Sequence, residues 1–170
     1  FEFRIQHDYD LHIALEVAAG DLAPMLAKGK AQGLETRGVS DHGFIDSPPE
    51  RQIDLAQHPK LAETLARPLC GERRVVYCYV KPGQATRFED YVAENFGHCM
   101  DAFPSRTLIE QDWFGPGEAD PRLASRIGDY ALVMRDDWTL LDWVEGEKRH
   151  RQIGVHGGVS ADEMFVPLVV

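Results

Sequence analysis

The 170-residue sequence has no apolar run approaching the ~18 residues that read as a membrane-spanning helix, so no span is expected. It has three cysteines, Cys70, Cys78 and Cys99, and no Cys-x-x-Cys pair. So odd and sparse a set excludes a disulfide framework or a zinc knuckle; buried free thiols are the expectation. Basic residues are in deficit, with 18 Lys and Arg against 28 Asp and Glu and a formal net charge of −10. A sequence-independent nucleic-acid binder needs a basic face, so no nucleic-acid polymer is expected as partner. The deficit leaves open an enzyme acting on phosphate esters, because bound cations supply positive charge locally. Internal repeats and low-complexity stretches are absent too.

What is present fits one globular domain with a sizeable core: hydrophobic residues make up 44% and charged residues 27%. The first residues, Phe1-Glu2-Phe3-Arg4-Ile5, lack Met and already alternate like a strand, as expected in the middle of a protein. Residues 13–32 read as helix, interrupted near Gly20 and Pro24. Thr36–Ser40 is a short strand candidate, and 50–67 holds one or two helical pieces, the second opened by Pro59. Val75-Val76-Tyr77-Cys78-Tyr79-Val80 is β-branched and aromatic throughout, the pattern of a buried strand. Pro82-Gly83 turns it into an amphipathic helix over Ala85–Phe96. His98–Phe103 is another strand candidate and Ser105–Asp112 a short helix. Trp113–Gly117 is a loop suited to line a cleft, and Pro121–Arg126 is a short helix. The strand from Gly128 to Met134 is expected to form a hairpin with Trp138–Trp143 across Asp136-Asp137.

Three motifs carry chemistry. Asp8-x-x-x-His12 has i,i+4 spacing, which aligns a carboxylate and an imidazole on one face if the segment is helical. That pair is a half-site for a divalent ion, against the plainer alternative of a solvated loop. Asp41-His42-Gly43 follows a strand candidate, where ligand residues of α/β folds collect. Gly154-Val155-His156-Gly157-Gly158 sets a histidine between small residues, ahead of Ser160-x-x-Glu163, which reads as a capping box opening a short helix before Pro167. Lys148, Arg149, His150 and Arg151 form a basic run that either touches an anionic substrate or, more often, is a solvated face.

Taken in order, these motifs resemble the C-terminal portion of the alkaline phosphatase superfamily, nearest its bacterial nucleotide pyrophosphatase/phosphodiesterase-like members. The run Arg126-Ile127-Gly128-Asp129-Tyr130 is similar to that group as well. The resemblance implies an alkaline-phosphatase-like α/β/α sandwich with a mostly parallel sheet, present here as an incomplete C-terminal part. Residues 1–47 would belong to the metal-binding core, 48–120 to an α/β side subdomain, and 121–170 to the C-terminal part of the core. It implies two divalent ions, zinc or else manganese. Asp8, His12 and His156 would hold one, and Asp41 and His42 the other. Such ions clamp the attacking and leaving oxygens of an in-line displacement. The family's Thr or Ser nucleophile, and a further aspartate, are expected N-terminal to Phe1, since Thr36, Thr64, Thr86, Thr107 and Thr139 all lack its context. The implied activity is hydrolysis of a phosphate ester such as a nucleotide. A phosphomonoesterase, a phosphomutase and a non-catalytic metal- or ligand-binding domain are the alternatives.

Overall fold

The structure is a computed structural model that describes residues 5–6, 12–13, 27–28, 30–31, 38–39, 42–143, 146, 149, 151–166 and 168–169. Two compact units are present, one of Phe1–Ser40 with Pro167–Val170 and one of Asp41–Val166. In the first, β1 (Ile5–Gln6) pairs antiparallel with β2 (His12–Ile13). In the same unit β3 (Gly38–Val39) pairs antiparallel with the C-terminal strand Leu168–Val169. The expected helix over 13–32 falls mostly outside the described residues, which are helical at 27–28 and 30–31.

The Asp41–Val166 unit contains β4 (Ile45–Asp46), β5 (Gln52–Asp54), β6 (Cys70–Gly71), β7 (Val75–Cys78), β8 (Met100–Pro104), β9 (Tyr130–Met134), β10 (Thr139–Leu141) and β11 (Gly154–Val155). Its largest sheet has the order β6-β7-β9-β8 and is antiparallel throughout. Strand β9 lies inside it, and Ala131, Leu132, Val133 and Met134 are all buried, so the strand reads as an unbroken apolar run. Parallel pairing among the described residues is found between β10 and β5. The mixture of parallel and antiparallel strands with helices makes this an α/β fold.

The helix Ala85–Phe96 forms where the sequence predicts it. Phe88, Val92 and Phe96 recur every four residues, and all three are buried. They join Val76, Cys78, Met100, Leu132 and Met134 in one core cluster. The helix stops at Gly97, where an added Cβ would lie 2.7 Å from the Ala93 carbonyl oxygen. The Tyr130 ring packs 4.9 Å from Phe88, and its hydroxyl donates to Glu89. Burial, and then the Glu89 carboxylate, push that phenol up to about 12.

Several sequence expectations are corrected here. Thr139–Leu141 does not form a hairpin with β9, because β7 and β8 already occupy both edges of β9. Instead β10 pairs parallel with β5, a strand inside the segment read as helical. Around β5 the chain makes short helical turns at Pro49–Arg51, Leu55–Gln57 and Pro59–Ala62, the last opened by Pro59 as expected. Of the thiols, Cys78 and Cys99 are buried but Cys70 is exposed, its sulfur 3.8 Å from the Tyr77 carbonyl oxygen. The Trp113–Gly117 loop contributes Phe114, Gly115, Pro116 and Gly117 to the lining of a surface cavity. No helix among the described residues is long and apolar enough to cross a membrane.

Candidate metal centre

The register of one short ribbon decides where the histidines go. Strands β4 and β11 pair antiparallel, with Ile45 opposite Val155 and Asp46 opposite Gly154. The ladder continues one step past the strands, where the Ser47 amide donates to the Ile153 carbonyl at 2.7 Å. Carried the other way, the same register sets Phe44 opposite His156 and leaves His42 diagonally across, on the same face. The rings obey it. His42 and His156 stack with centroids 4.0 Å apart and planes 14° from parallel. Phe44 meets His156 edge-on at 5.0 Å and His42 at 4.9 Å. Both histidines are half-buried, whereas Phe44 is exposed.

Buried polar groups fix the ribbon from behind. The Gln52 amide donates to the Ser47 carbonyl at 2.7 Å and to the Gln152 carbonyl at 2.8 Å, tying its two strands together. The hydroxyls of Ser47 and Thr139, both fully buried, share a 3.2 Å hydrogen bond that fastens the ribbon to β10. This accounts for a strand at Gln52–Asp54 despite its polar sequence: the side-chain NH₂ gives both its protons to tertiary partners, while Oε1 is buried without one among the described residues.

Two glycines are required by close approach. Gly43 passes so near the helix Ala161–Met164 that a Cβ there would lie 1.8 Å from the Asp162 carbonyl oxygen, and its amide donates to the Glu163 carbonyl at 2.9 Å. Gly158 is held as closely, since a Cβ would lie 2.4 Å from a Glu163 carboxylate oxygen. Between them, Gly157 adopts φ 89° and packs against the Glu72 side chain.

The helix after His156 forms as predicted, but its cap differs. Ser160 stands at the N-cap without accepting a side-chain hydrogen bond from the helix. Its hydroxyl donates to the Glu163 carboxylate at 2.6 Å. The same carboxylate accepts from the Gly158 amide at 2.9 Å, and from Arg74 Nε at 3.1 Å and Nη2 at 2.9 Å. Arg74 and Glu163 side chains are each 1% exposed, and Arg74 Nη1 also donates to the Trp138 carbonyl at 2.6 Å. Burial works against the Glu163 charge, yet Arg74, Ser160 and the Gly158 amide outweigh it and hold the carboxyl below its ordinary range. Arg74 carried no recognisable signal: a buried arginine beside a turn is identified by its partner, and that partner is 89 residues away.

Of the five metal ligands expected from sequence, the structure brings His42 and His156 together. Asp8 and Asp41 lie outside the described residues. His12 lies in β2. Among the described residues no group of three or more His, Cys, Asp or Glu is placed to hold a metal ion. The His42 Nδ1 lies 3.0 Å from the Gly43 carbonyl oxygen, an acceptor only. Nδ1 therefore carries the proton in that bond, which puts the lone pair of the neutral ring on Nε2. Nitrogen donors of this kind suit zinc. In the basic run, Arg149 and Arg151 are exposed, while Lys148 and His150 lie outside the described residues.

No protein-family model and no curated protein sequence matches the chain. Solved structures with the same fold include murine ectonucleotide pyrophosphatase/phosphodiesterase 5, at TM-score 0.61 and 18% identity over 88% of this chain and 38% of that one. An inactive threonine-to-alanine variant of the murine protein in complex with AMP matches at TM-score 0.61 and 18% identity over the same shares. The human protein matches at TM-score 0.55 and 23% identity, over 85% of this chain and 36% of that one. The chain thus shares the alkaline-phosphatase-like α/β fold of these structures. It spans a little over a third of the length of these structures.

Proposed function

We propose that this chain supplies part of the two-metal site of a phosphoric ester hydrolase of the phosphodiesterase/nucleotide pyrophosphatase type. The observation that carries the proposal is the stack of His42 on His156, with centroids 4.0 Å apart. Two-metal phosphate sites space their ions about 3.5–4 Å apart, so near-parallel rings at that separation suit one imidazole for each ion. In this reading His42 and Asp41 serve one zinc or manganese ion, and His156 serves the other. Ions so held stabilise the negative charge on the attacking and leaving oxygens of the phosphoryl group. The residues of this chain contribute position: the Nδ1 proton of His42, held by the Gly43 carbonyl, orients the ring, and the β4–β11 register sets His156 beside it.

The Thr or Ser nucleophile and one further aspartate are outside these 170 residues in this reading. The inactive threonine-to-alanine variant among the structural neighbours favours threonine for the first. That neighbour's complex with AMP favours a nucleotide as the substrate class. The 170 residues alone are then expected to bind cations without turnover.

The test is hydrolysis of bis(p-nitrophenyl) phosphate by the chain extended to include the upstream segment, with zinc or manganese added. Expected is metal-dependent release of p-nitrophenol that chelation abolishes and that His42→Ala or His156→Ala reduces by orders of magnitude. Cation binding without turnover would favour a non-catalytic metal-binding domain. Preference for p-nitrophenyl phosphate would favour a phosphomonoesterase.

A further inference from the structure

Glu163 makes contact with both histidine arms. Its backbone carbonyl accepts the Gly43 amide, one residue after His42. Its carboxylate accepts the Gly158 amide, two residues after His156, and the Ser160 hydroxyl. The carboxylate is in turn locked by Arg74, whose own position is set by the sheet. The Arg74 carbonyl accepts the Met134 amide of β9 at 2.9 Å, and its Nη1 reaches Trp138 at the entrance to β10. Rigid strands therefore hold the arginine, the arginine holds Glu163, and Glu163 holds the two backbones that carry the rings.

We propose that Glu163, anchored by Arg74, is the positioning residue that keeps the His156 ring against the His42 ring. This rests on the reading of those histidines as cation ligands only for its effect on metal affinity; the ring placement stands without it. The two glycines after His156 follow from the arrangement. Gly157 takes the positive φ and Gly158 leaves room for the carboxylate. Glutamine at position 163 keeps the size but turns an amide NH₂ toward donors on all sides: Arg74, Ser160 and the Gly158 amide. At least one donor then faces another donor, and the His156 loop is released.

The experiment uses the 170-residue chain with two readouts. The first, without metal, is the nuclear Overhauser contact between the His42 and His156 ring protons. The second is zinc affinity by competition with a chromogenic chelator. Glu163→Gln should lose the ring contact and weaken zinc binding about 10–100-fold, the range for residues that orient metal ligands. Ser160→Ala removes one donor and leaves the ion pair intact, so it should give a smaller change in the same direction even if Glu163→Gln fails to fold. A folded Glu163→Gln protein with the parental ring contact would overturn the proposal. If that variant does not fold, an unchanged ring contact in Ser160→Ala would overturn it. Parent protein that shows the ring contact but binds no zinc would refute the metal reading alone, and the ring contact would still decide the role of Glu163.

Discussion

Replacing Arg74 with alanine should lower the stability of the Asp41–Val166 unit by about 3–5 kcal/mol, because it leaves the Glu163 carboxylate buried without its partner. Chemical unfolding followed by tryptophan fluorescence reads this as a lower urea midpoint at unchanged slope. An exposed pair supplies the contrast. Arg106 and Glu110 are ion-paired one helical turn apart with side chains 89% and 59% exposed, so Arg106→Ala should change stability by only about 0.5 kcal/mol. Replacing both buried partners, Arg74→Met with Glu163→Leu, should cost much less than either single change, since no orphaned charge remains. The pH dependence has a definite sign. The folded state holds the Glu163 carboxyl below its unfolded value, so its contribution is complete above the ordinary glutamate pKa of about 4.3 and is lost as pH falls through the lowered folded value. Arg74→Ala should flatten that part of the acid limb. Equal stability of the parent and Arg74→Ala at neutral pH would contradict this account of the buried pair.

Gly43→Ala is the second large effect. The added Cβ would lie 1.8 Å from the Asp162 carbonyl oxygen, 2.9 Å from its carbon and 3.2 Å from the Glu163 Cα. All three atoms are backbone, so no rotamer change relieves the overlap. Either the His42 turn or the short helix must move, breaking the Gly43–Glu163 backbone hydrogen bond. Overpacking and the lost bond together should cost about 2–4 kcal/mol. Gly154→Ala, in the facing strand, meets nothing within 4 Å and should be nearly silent. Thermal unfolding of the two variants beside the parent checks the pair. A Gly43→Ala protein as stable as Gly154→Ala would contradict the close packing of the two arms.

The elements legible in the sequence are those whose own side chains define a buried face. Phe88, Val92 and Phe96 locate the helix Ala85–Phe96, and the β-branched run Val75-Val76 locates β7. Strand β5 was not legible, because Gln52 and Asp54 carry no strand pattern and the Gln52 NH₂ finds its acceptors in carbonyls at positions 47 and 152. The hairpin expected after β9 failed for a topological reason: a strand with neighbours on both edges has no edge left for the next one. At the site, His42 and His156 stood out through the glycines beside them. Their stacking depends on the Ile45–Val155 register, which no local pattern contains. Ser160-x-x-Glu163 placed the helix correctly and missed that Glu163 turns to Arg74 and Gly158.

The most direct test of the central claim is a zinc titration of the 170-residue chain followed by the imidazole resonances of its histidines. The account predicts that His42 and His156 respond together at the lowest zinc concentration, while His58 and His98 stay unchanged. Shifts at His58 or His98 with none at His42 and His156, or no histidine response at all, would contradict it.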